Sequence, residues 1–299
     1  MYHKCPIIVT SKELLERVKR VEIKAKGLVN NAFAGRYHSA FKGRGMAFSE
    51  VRAYQAGDDV RDIDWNVTAR YDMPFVKLYE EERELTLMLV VDMSHSLDFG
   101  TIAETKRDLV AEIAATLAFS AMENNDKVGV VLFTDHVEKY IPPAKGRRHV
   151  LYIIRELLSY QATGRATNAE VALDFLNGVL KKRATVFLMG DFISDDLTEP
   201  YCKRLKLTSL RHDLMAIEVG DRREAILTPM GLVRFEDLET GRTAWVNTSS
   251  KKVRDQYYAR YVEAKARHSN VLYHLGIDFT EVQCGEDFAL ALLKLFAKR

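Results

Sequence analysis

The sequence predicts an α/β fold in which a doubly wound, mostly parallel sheet is flanked by helices. The first observation is a series of short apolar segments rich in Val, Leu and Ile, which are typical of strands buried on both faces. The second is the helical periodicity between them, because strands that alternate with helices form parallel sheets with right-handed crossovers. The third is the presence of polar residues directly after two of these segments, where open α/β sheets place their ligand sites.

The first part of the chain predicts a small appendage. Residues 11–26 carry apolar side chains at helical spacing and predict an N-terminal helix. Residues 33–84 hold many Gly, Asp and Arg residues among short apolar groups, which predicts short strands and turns. We therefore expect two domains, at 1–84 and 85–299.

The second part of the chain carries the alternating pattern. The predicted strands are 85–91, 127–134, 137–141 at an edge, 184–191, 213–219 and 271–282. The predicted helices are 103–123, 147–160, 169–182, 198–209, 251–268 and 286–298. Residues 221–249 interrupt this rhythm, because two apolar segments separated by Thr240-Gly241 predict a β-hairpin insertion. The final strand and helix are expected to complete the sheet.

Composition and charge limit the function classes. The chain has 299 residues, of which 47% are hydrophobic, and this is enough for a substantial core. A net charge of +2 is too near neutral to indicate a nucleic-acid or membrane surface. No apolar run approaches the roughly 18 residues that cross a bilayer, and no signal-peptide core follows Met1, so we expect a cytoplasmic protein. The wide spacing of Cys5, Cys202 and Cys284 argues against a disulfide framework or a zinc site.

The most informative motif follows the first apolar segment of the predicted sheet. Asp92-Met93-Ser94-His95-Ser96 offers one carboxylate and two hydroxyls in a tight loop, while its Met and His are expected to be structural. Hard oxygen ligands of this kind suit Mg²⁺, Mn²⁺ or Ca²⁺. Asp and Ser are also common turn and cap residues after a strand, so the motif by itself leaves a structural interpretation open.

Two further segments favour the metal site. Thr167 lies in a polar loop ahead of a helical pattern that begins near Ala169, and Asp191 ends the apolar segment that begins at Ala184. Both residues are predicted at the same sheet edge as Asp92, because the loops after parallel strands share that edge. The candidate metal ligands are therefore Asp92, Ser94, Ser96, Thr167 and Asp191.

These residues resemble the metal-ion-dependent adhesion site of von Willebrand factor A domains, in which D-x-S-x-S, a Thr and an Asp arrive from three loops. The upstream segment Gly43–Arg70 is similar to the signature of the bacterial domain-of-unknown-function family numbered 58, and Tyr79–Glu84 continues the similarity. The resemblance covers roughly residues 30–220. It implies a von Willebrand factor A-like, Rossmann-type fold.

The resemblance also implies a mechanism. Ser94 and Ser96 would bind the cation through their hydroxyls, and Thr167 would bind it directly or through water. Asp92 and Asp191 would hold coordinated waters. A carboxylate from a partner protein would fill the remaining position, so the cation serves recognition and not bond cleavage. Members of this family are often linked to MoxR-type AAA+ ATPases, which implies a non-enzymatic, chaperone-like adaptor.

Two other classes of function stay open. Gly190–Asp195 resembles the G-D-x-x-x-D magnesium motif of haloacid dehalogenase-type phosphohydrolases, with Asp92 as the nucleophile. That class generally places a second Asp two positions after the nucleophile, whereas this chain has Ser94, which is too weak an acid. Nucleotide binding is suggested by Gly43-Arg44-Gly45, but the sequence contains no phosphate-loop motif.

The segment Gly43–Arg70 itself has two interpretations. Its charged residues form an ion-pair network that locks the appendage onto the sheet, or they face a partner. They are Asp58, Asp59, Arg61, Asp62, Asp64 and Arg70. We favour the structural role, because Tyr54, Ile63 and Trp65 are expected to be buried anchors among them.

Overall fold

In this computed structural model, helices and strands alternate along much of the chain. The residues that the structure describes are 11–29, 34–40, 46–71, 73–81, 84–101, 105–164, 166–192, 197–236 and 241–298. The helices are α1 (Ser11–Leu28), α2 (Ala34–Ala40), α3 (Trp65–Tyr71), α4 (Lys106–Glu123), α5 (Arg147–Ser159), α6 (Ala169–Val179), α7 (Glu199–Arg211), α8 (Arg222–Ala225), α9 (Lys251–His274) and α10 (Phe288–Ala297). The strands are β1 (Met46–Ala53), β2 (Phe75–Glu81), β3 (Thr86–Asp92), β4 (Lys127–Phe133), β5 (Val137–Ala144), β6 (Thr185–Gly190), β7 (Asp213–Gly220), β8 (Leu232–Glu236), β9 (Thr243–Asn247) and β10 (Asp278–Gln283).

Six of these strands form the central sheet in the order β10-β7-β6-β3-β4-β5. Four neighbouring pairs are parallel, and β5 runs antiparallel to β4 at one edge. Helices flank this sheet, so the predicted α/β fold with a mostly parallel sheet is confirmed. The last strand and helix complete the sheet as expected, because β10 pairs with β7.

The core is built on β3, at the middle of the sheet. Met88 and Val90 lie in one apolar cluster with Leu173 of α6 and Leu205 of α7. Side chains alternate between the faces of a strand, so the equally buried Leu89 points to the other face. The site residues that follow β3 therefore start from a strand covered on both sides.

The N-terminal helices belong to the larger of two units. This unit comprises Met1–Ala40 and Thr86–Arg299, and the smaller one is Phe41–Leu85. Arg17 of α1 pairs with Asp108 of α4. Tyr37 of α2 is fully buried, and its ring meets Phe296 of α10 edge-to-face at a centroid distance of 6.1 Å. The larger unit therefore includes the N-terminal helix, which the sequence analysis assigned to the appendage.

The smaller unit contains the antiparallel pair β1 and β2 together with α3. The guanidinium of Arg52 donates two hydrogen bonds of 2.8 Å to Asp58, and Arg61 pairs with Asp59, so these charged residues form local ion pairs. The expectation that Trp65 is buried was wrong, because its side chain lies on α3, which has no buried residue, and is 67% exposed.

The antiparallel edge strand β5 is longer than predicted and carries Pro142 and Pro143. The register between β4 and β5 shifts between Val128 and Val130. A Cβ on Gly129 would lie 3.0 Å from Pro143 Cγ, so a glycine is needed for the prolines to approach β4.

The predicted hairpin insertion is present as the antiparallel pair β8 and β9. The last strand is shorter than predicted, because α9 continues to His274 and Val271–Ile277 pack against the core as a helix end and turn. Gly276, at a φ of 66°, adopts the left-handed conformation that ends this helix. α9 has 24 residues, yet neither it nor any other helix in the described ranges is apolar over a bilayer-spanning length.

Candidate metal centre

Asp92 is the last residue of β3, at the carboxyl edge of the sheet. It is completely buried, and its Oδ1 accepts the backbone N–H of Ser94 at 2.7 Å. This bond turns the chain sharply. The hydroxyl oxygens of Ser94 and Ser96 then lie 2.8 Å apart. The three polar residues of the D-x-S-x-S motif are thus gathered in one place.

Met93, the apolar residue of the D-x-S-x-S loop, anchors this loop to β4. Met93 is 1% exposed, and its backbone N–H donates to the carbonyl oxygen of Phe133 at the end of β4 over 2.8 Å. Its predicted packing role is therefore confirmed. His95 begins a short 3₁₀ turn that continues to Asp98.

Thr167 reaches the same place from a second loop. Its Oγ1 lies 3.5 Å from Oδ2 of Asp92 and donates to it. The next residue, Asn168, caps α6 by accepting the backbone N–H of Glu170 at 3.0 Å. One carboxylate oxygen of Asp92 therefore binds the Ser94–Ser96 loop, and the other binds Thr167.

Glu138 positions the Thr167 loop, and sequence reasoning missed it. Its side chain is 2% exposed, and its carboxylate accepts hydrogen bonds from the hydroxyls of Thr134 and Thr163 and from the backbone N–H of Gly164. Burial by itself raises the pKa of Glu138, but the Gly164 N–H and the Thr134 hydroxyl lower it to about 2. The Glu138 carboxylate therefore stays ionised and holds this loop in place through hydrogen bonds.

Asp191 arrives from a third loop, directly after β6. An ideal Cβ on the preceding Gly190 would lie 3.1 Å from Cβ of Asp92, so the two strand ends approach closely. Asp191 is buried, and its Oδ2 accepts a hydrogen bond of 2.9 Å from the ammonium of Lys106. The same ammonium pairs with Glu224. The structure thus places all five predicted residues at one edge, with Asp191 already engaged by a cation of the chain.

A second cluster of buried polar residues lies on β7 and α9. Glu218 accepts from Lys265, with Nζ and Oε1 3.2 Å apart. Burial raises the pKa of Glu218 to about 7, although Lys265 opposes the shift. Burial also lowers the pKa of His268 to about 4, and its ring stacks on Phe192 at a centroid distance of 4.9 Å. Phe192 has a φ of 46°, a left-handed backbone conformation that is uncommon for a residue other than glycine.

The donor chemistry fits a hard divalent cation. The side chains offered by the first two loops are one carboxylate and three hydroxyls, which suit Mg²⁺, Mn²⁺ or Ca²⁺. In the described part of the chain, no group of three or more His, Cys, Asp and Glu side chains is placed to hold a metal ion. A metal site here would therefore depend on hydroxyl ligands.

Among the residues that the structure describes, the geometry offers nothing in favour of the phosphohydrolase alternative. Two residues after Asp92, where a general acid is required, the hydroxyl of Ser94 is hydrogen-bonded to Ser96. Residues 193–195 of the G-D-x-x-x-D motif lie outside the described residues, as does Gly43-Arg44-Gly45.

The sequence profile of the family described as "Protein of unknown function DUF58" matches residues 50–267. The chain belongs to the DUF58 family. The resemblance inferred from Gly43–Arg70 is therefore confirmed at the level of the family. Uncharacterized proteins of Mycobacterium tuberculosis and Mycobacterium bovis are each 28% identical to this DUF58 chain over 289 residues, covering 96% of it and 90% of their own lengths.

Solved structures similar to this DUF58 chain share little sequence with it. One is the conserved hypothetical protein BatB from Bacteroides thetaiotaomicron, with 12% identity, a TM-score of 0.46, and coverage of 72% of this chain and 98% of the other. Another is the VWA domain of SpRpn10, with 9% identity, a TM-score of 0.39, and coverage of 72% and 95%.

Proposed function

We propose that this DUF58 protein is a non-enzymatic, cytoplasmic interaction module that binds an acidic partner protein through a divalent cation. The observation that supports this proposal is the convergence of oxygen donors from separate loops at the carboxyl end of β3. The Ser94 and Ser96 hydroxyls are 2.8 Å apart, and the carboxylate of Asp92 lies between them and Thr167.

The types of ligand favour recognition over bond cleavage. The hydroxyls of Ser94, Ser96 and Thr167 would hold the cation, and the carboxylates of Asp92 and Asp191 would orient its coordinated waters. Hydroxyl ligands are neutral, so the cation would keep much of its charge and would attract a carboxylate of the partner. A MoxR-type AAA+ ATPase that presents an acidic side chain is the partner that we propose, in a chaperone-like assembly.

Titration with Mn²⁺ tests the cation site directly. We expect saturable binding of one ion per chain by isothermal titration calorimetry, and a loss of affinity of about tenfold or more in Asp92→Asn. Asp98→Asn is the matched control, because Asp98 lies in the same loop but is 53% exposed and pairs with Arg107. Equal affinities in the wild type and Asp92→Asn would refute the proposed site.

Affinity capture tests the function of the site. Wild-type protein in Mg²⁺ is compared with wild type in EDTA and with Asp92→Asn in Mg²⁺, and bound proteins are identified by mass spectrometry. The proposal requires a partner that is retained only in the first sample and is released when its own acidic contact residue is replaced. Turnover of p-nitrophenyl phosphate in Mg²⁺ that disappears in Asp92→Asn would overturn the non-enzymatic proposal in favour of a phosphohydrolase.

A further inference from the structure

Lys106 is completely buried beside the proposed cation site. It is the first residue of α4, and its ammonium donates to Oδ2 of Asp191 at 2.9 Å and pairs with Oε1 of Glu224. A buried ammonium is stable only when it is paired and hydrogen-bonded. Burial lowers the pKa of Lys106, but the charges of Asp191 and Glu224 outweigh this effect and raise it, so the ammonium stays charged.

The ammonium is fixed in place by the backbone around it. The backbone N–H of Lys106 donates to the carbonyl oxygen of Phe99 at 3.0 Å. The residue before it, Thr105, caps α4 through reciprocal hydrogen bonds with Asp108. Lys106 is therefore the first residue of a capped helix, and its side chain is positioned to reach Asp191.

Hydrogen bonds also hold the carboxylate of Glu224 in place. Oε2 of Glu224 accepts the backbone N–H of Asp221 at 3.1 Å, within a capping box that starts α8. Asp221 in turn accepts the backbone N–H of Thr101 at 2.9 Å. This network connects the loop after β7 to the loop after β3, and it holds Glu224 beside the ammonium that Asp191 also binds.

We propose that the ammonium of Lys106 competes with the divalent cation for the carboxylate of Asp191, and that Glu224 weakens this competition. The inference rests on the proposed function, because it assigns the regulation of the same cation site. The Lys106 ammonium, held against Asp191, repels a divalent cation at the neighbouring Asp92, and burial of both carboxylates strengthens this repulsion. A carboxylate brought by a partner offsets this repulsion, so cation and partner bind cooperatively.

A charge-neutral double variant separates this role from a structural one. Lys106→Met/Glu224→Gln removes one positive and one negative charge and keeps the volumes similar, so the net charge of the network is unchanged while Asp191 loses its ammonium partner. It frees Asp191 from the ammonium, so we expect Mn²⁺ affinity about tenfold or more above that of the wild type by calorimetry. In the single variant Glu224→Gln, the ammonium pairs with Asp191 alone, so the affinity of this variant for Mn²⁺ should fall below that of the wild type. Circular dichroism melting confirms that each variant is folded.

The outcomes separate this inference from the proposed function. Tighter binding by the double variant, abolished when Asp92→Asn is added, supports the competition. Affinity in the double variant equal to or below that of the wild type, with Asp92-dependent binding in the wild type, overturns the competition and leaves the cation site intact. Absence of binding in the wild type and in the folded double variant refutes the cation site itself.

Discussion

The backbone N–H of Gly164 donates to Oε1 of Glu138 over 2.7 Å. This bond ties the loop that carries Thr167 to β5, the outermost strand of the sheet on that side. The loop that carries Thr167 is therefore held by a carboxylate that lies far from the D-x-S-x-S motif in the sequence.

Replacing Glu138 by Gln should destabilise the protein in a pH-dependent manner. The pKa of Glu138 is about 2 in the folded chain, below its ordinary value of 4.5, so its stabilising effect is complete above pH 4.5 and is lost as the pH falls towards 2. We expect Glu138→Gln to lower the free energy of unfolding by about 1–2 kcal/mol at pH 7. Urea unfolding at pH 7, 4 and 3 should show this difference shrinking with acidity.

Glu199→Gln is the matched control for this prediction. Glu199 is 78% exposed and makes a surface pair with Lys203 on α7, so its replacement should change stability little at any pH. A penalty for Glu138→Gln that stays constant from pH 7 to 3 would contradict the role of the charge.

Gly164→Ala should disturb the same loop by steric overlap. A Cβ at this position would collide with Oγ1 of Thr134 and Oδ1 of Asp135, and Thr134 is buried. We expect a loss of about 1–3 kcal/mol in thermal or urea unfolding. The control is Gly178→Ala near the end of α6, where a Cβ meets no atom within 4 Å and alanine should be neutral or stabilising. Equal effects of the two substitutions would show that the predicted overlap is relieved without cost.

Glu218 should make the protein less stable as the pH rises through neutrality. Its pKa of about 7 exceeds its ordinary value of 4.5, so its contribution to stability is complete below pH 4.5 and is lost as the pH rises through 7. The charged and titratable groups that act on it are Lys265, Glu281, Asp191 and His268.

Glu218→Gln removes this titration. Between pH 5 and 8, we expect the wild type to lose about 1–2 kcal/mol more than the variant, measured by urea unfolding. Glu263→Gln, an exposed site on α9, should follow the wild type across this range. Parallel curves for the wild type and Glu218→Gln would be inconsistent with a carboxyl group that titrates near pH 7.

The sheet could be predicted because its strands carry their own signal. Residues Leu87–Val91 of β3 are all buried, and the sequence shows this burial as a continuous apolar run. The short helices α2 and α3 gave no such signal. α2 has seven residues and is stabilised by the contact of Tyr37 with Phe296, which is remote in sequence. Contacts of this kind override local propensity and cannot be inferred from one segment.

The sequence predicts the polar residues that follow β3, but it does not predict the residues that surround and support them. Asp92, Ser94 and Ser96 form one local motif, whereas Lys106 contacts a carboxylate 85 residues away. One weak signal precedes the structure, because a lysine at the first position of a helix opposes the helix dipole and is favoured there when an acidic group lies nearby.

The prolines of β5 have a consequence for assembly. Pro142 and Pro143 lack backbone N–H groups, so this stretch of the outer strand cannot supply the regular ladder of donors that an incoming strand requires. Strand addition from another chain is thereby discouraged along this border of the sheet, and the fold is protected there from edge-to-edge aggregation.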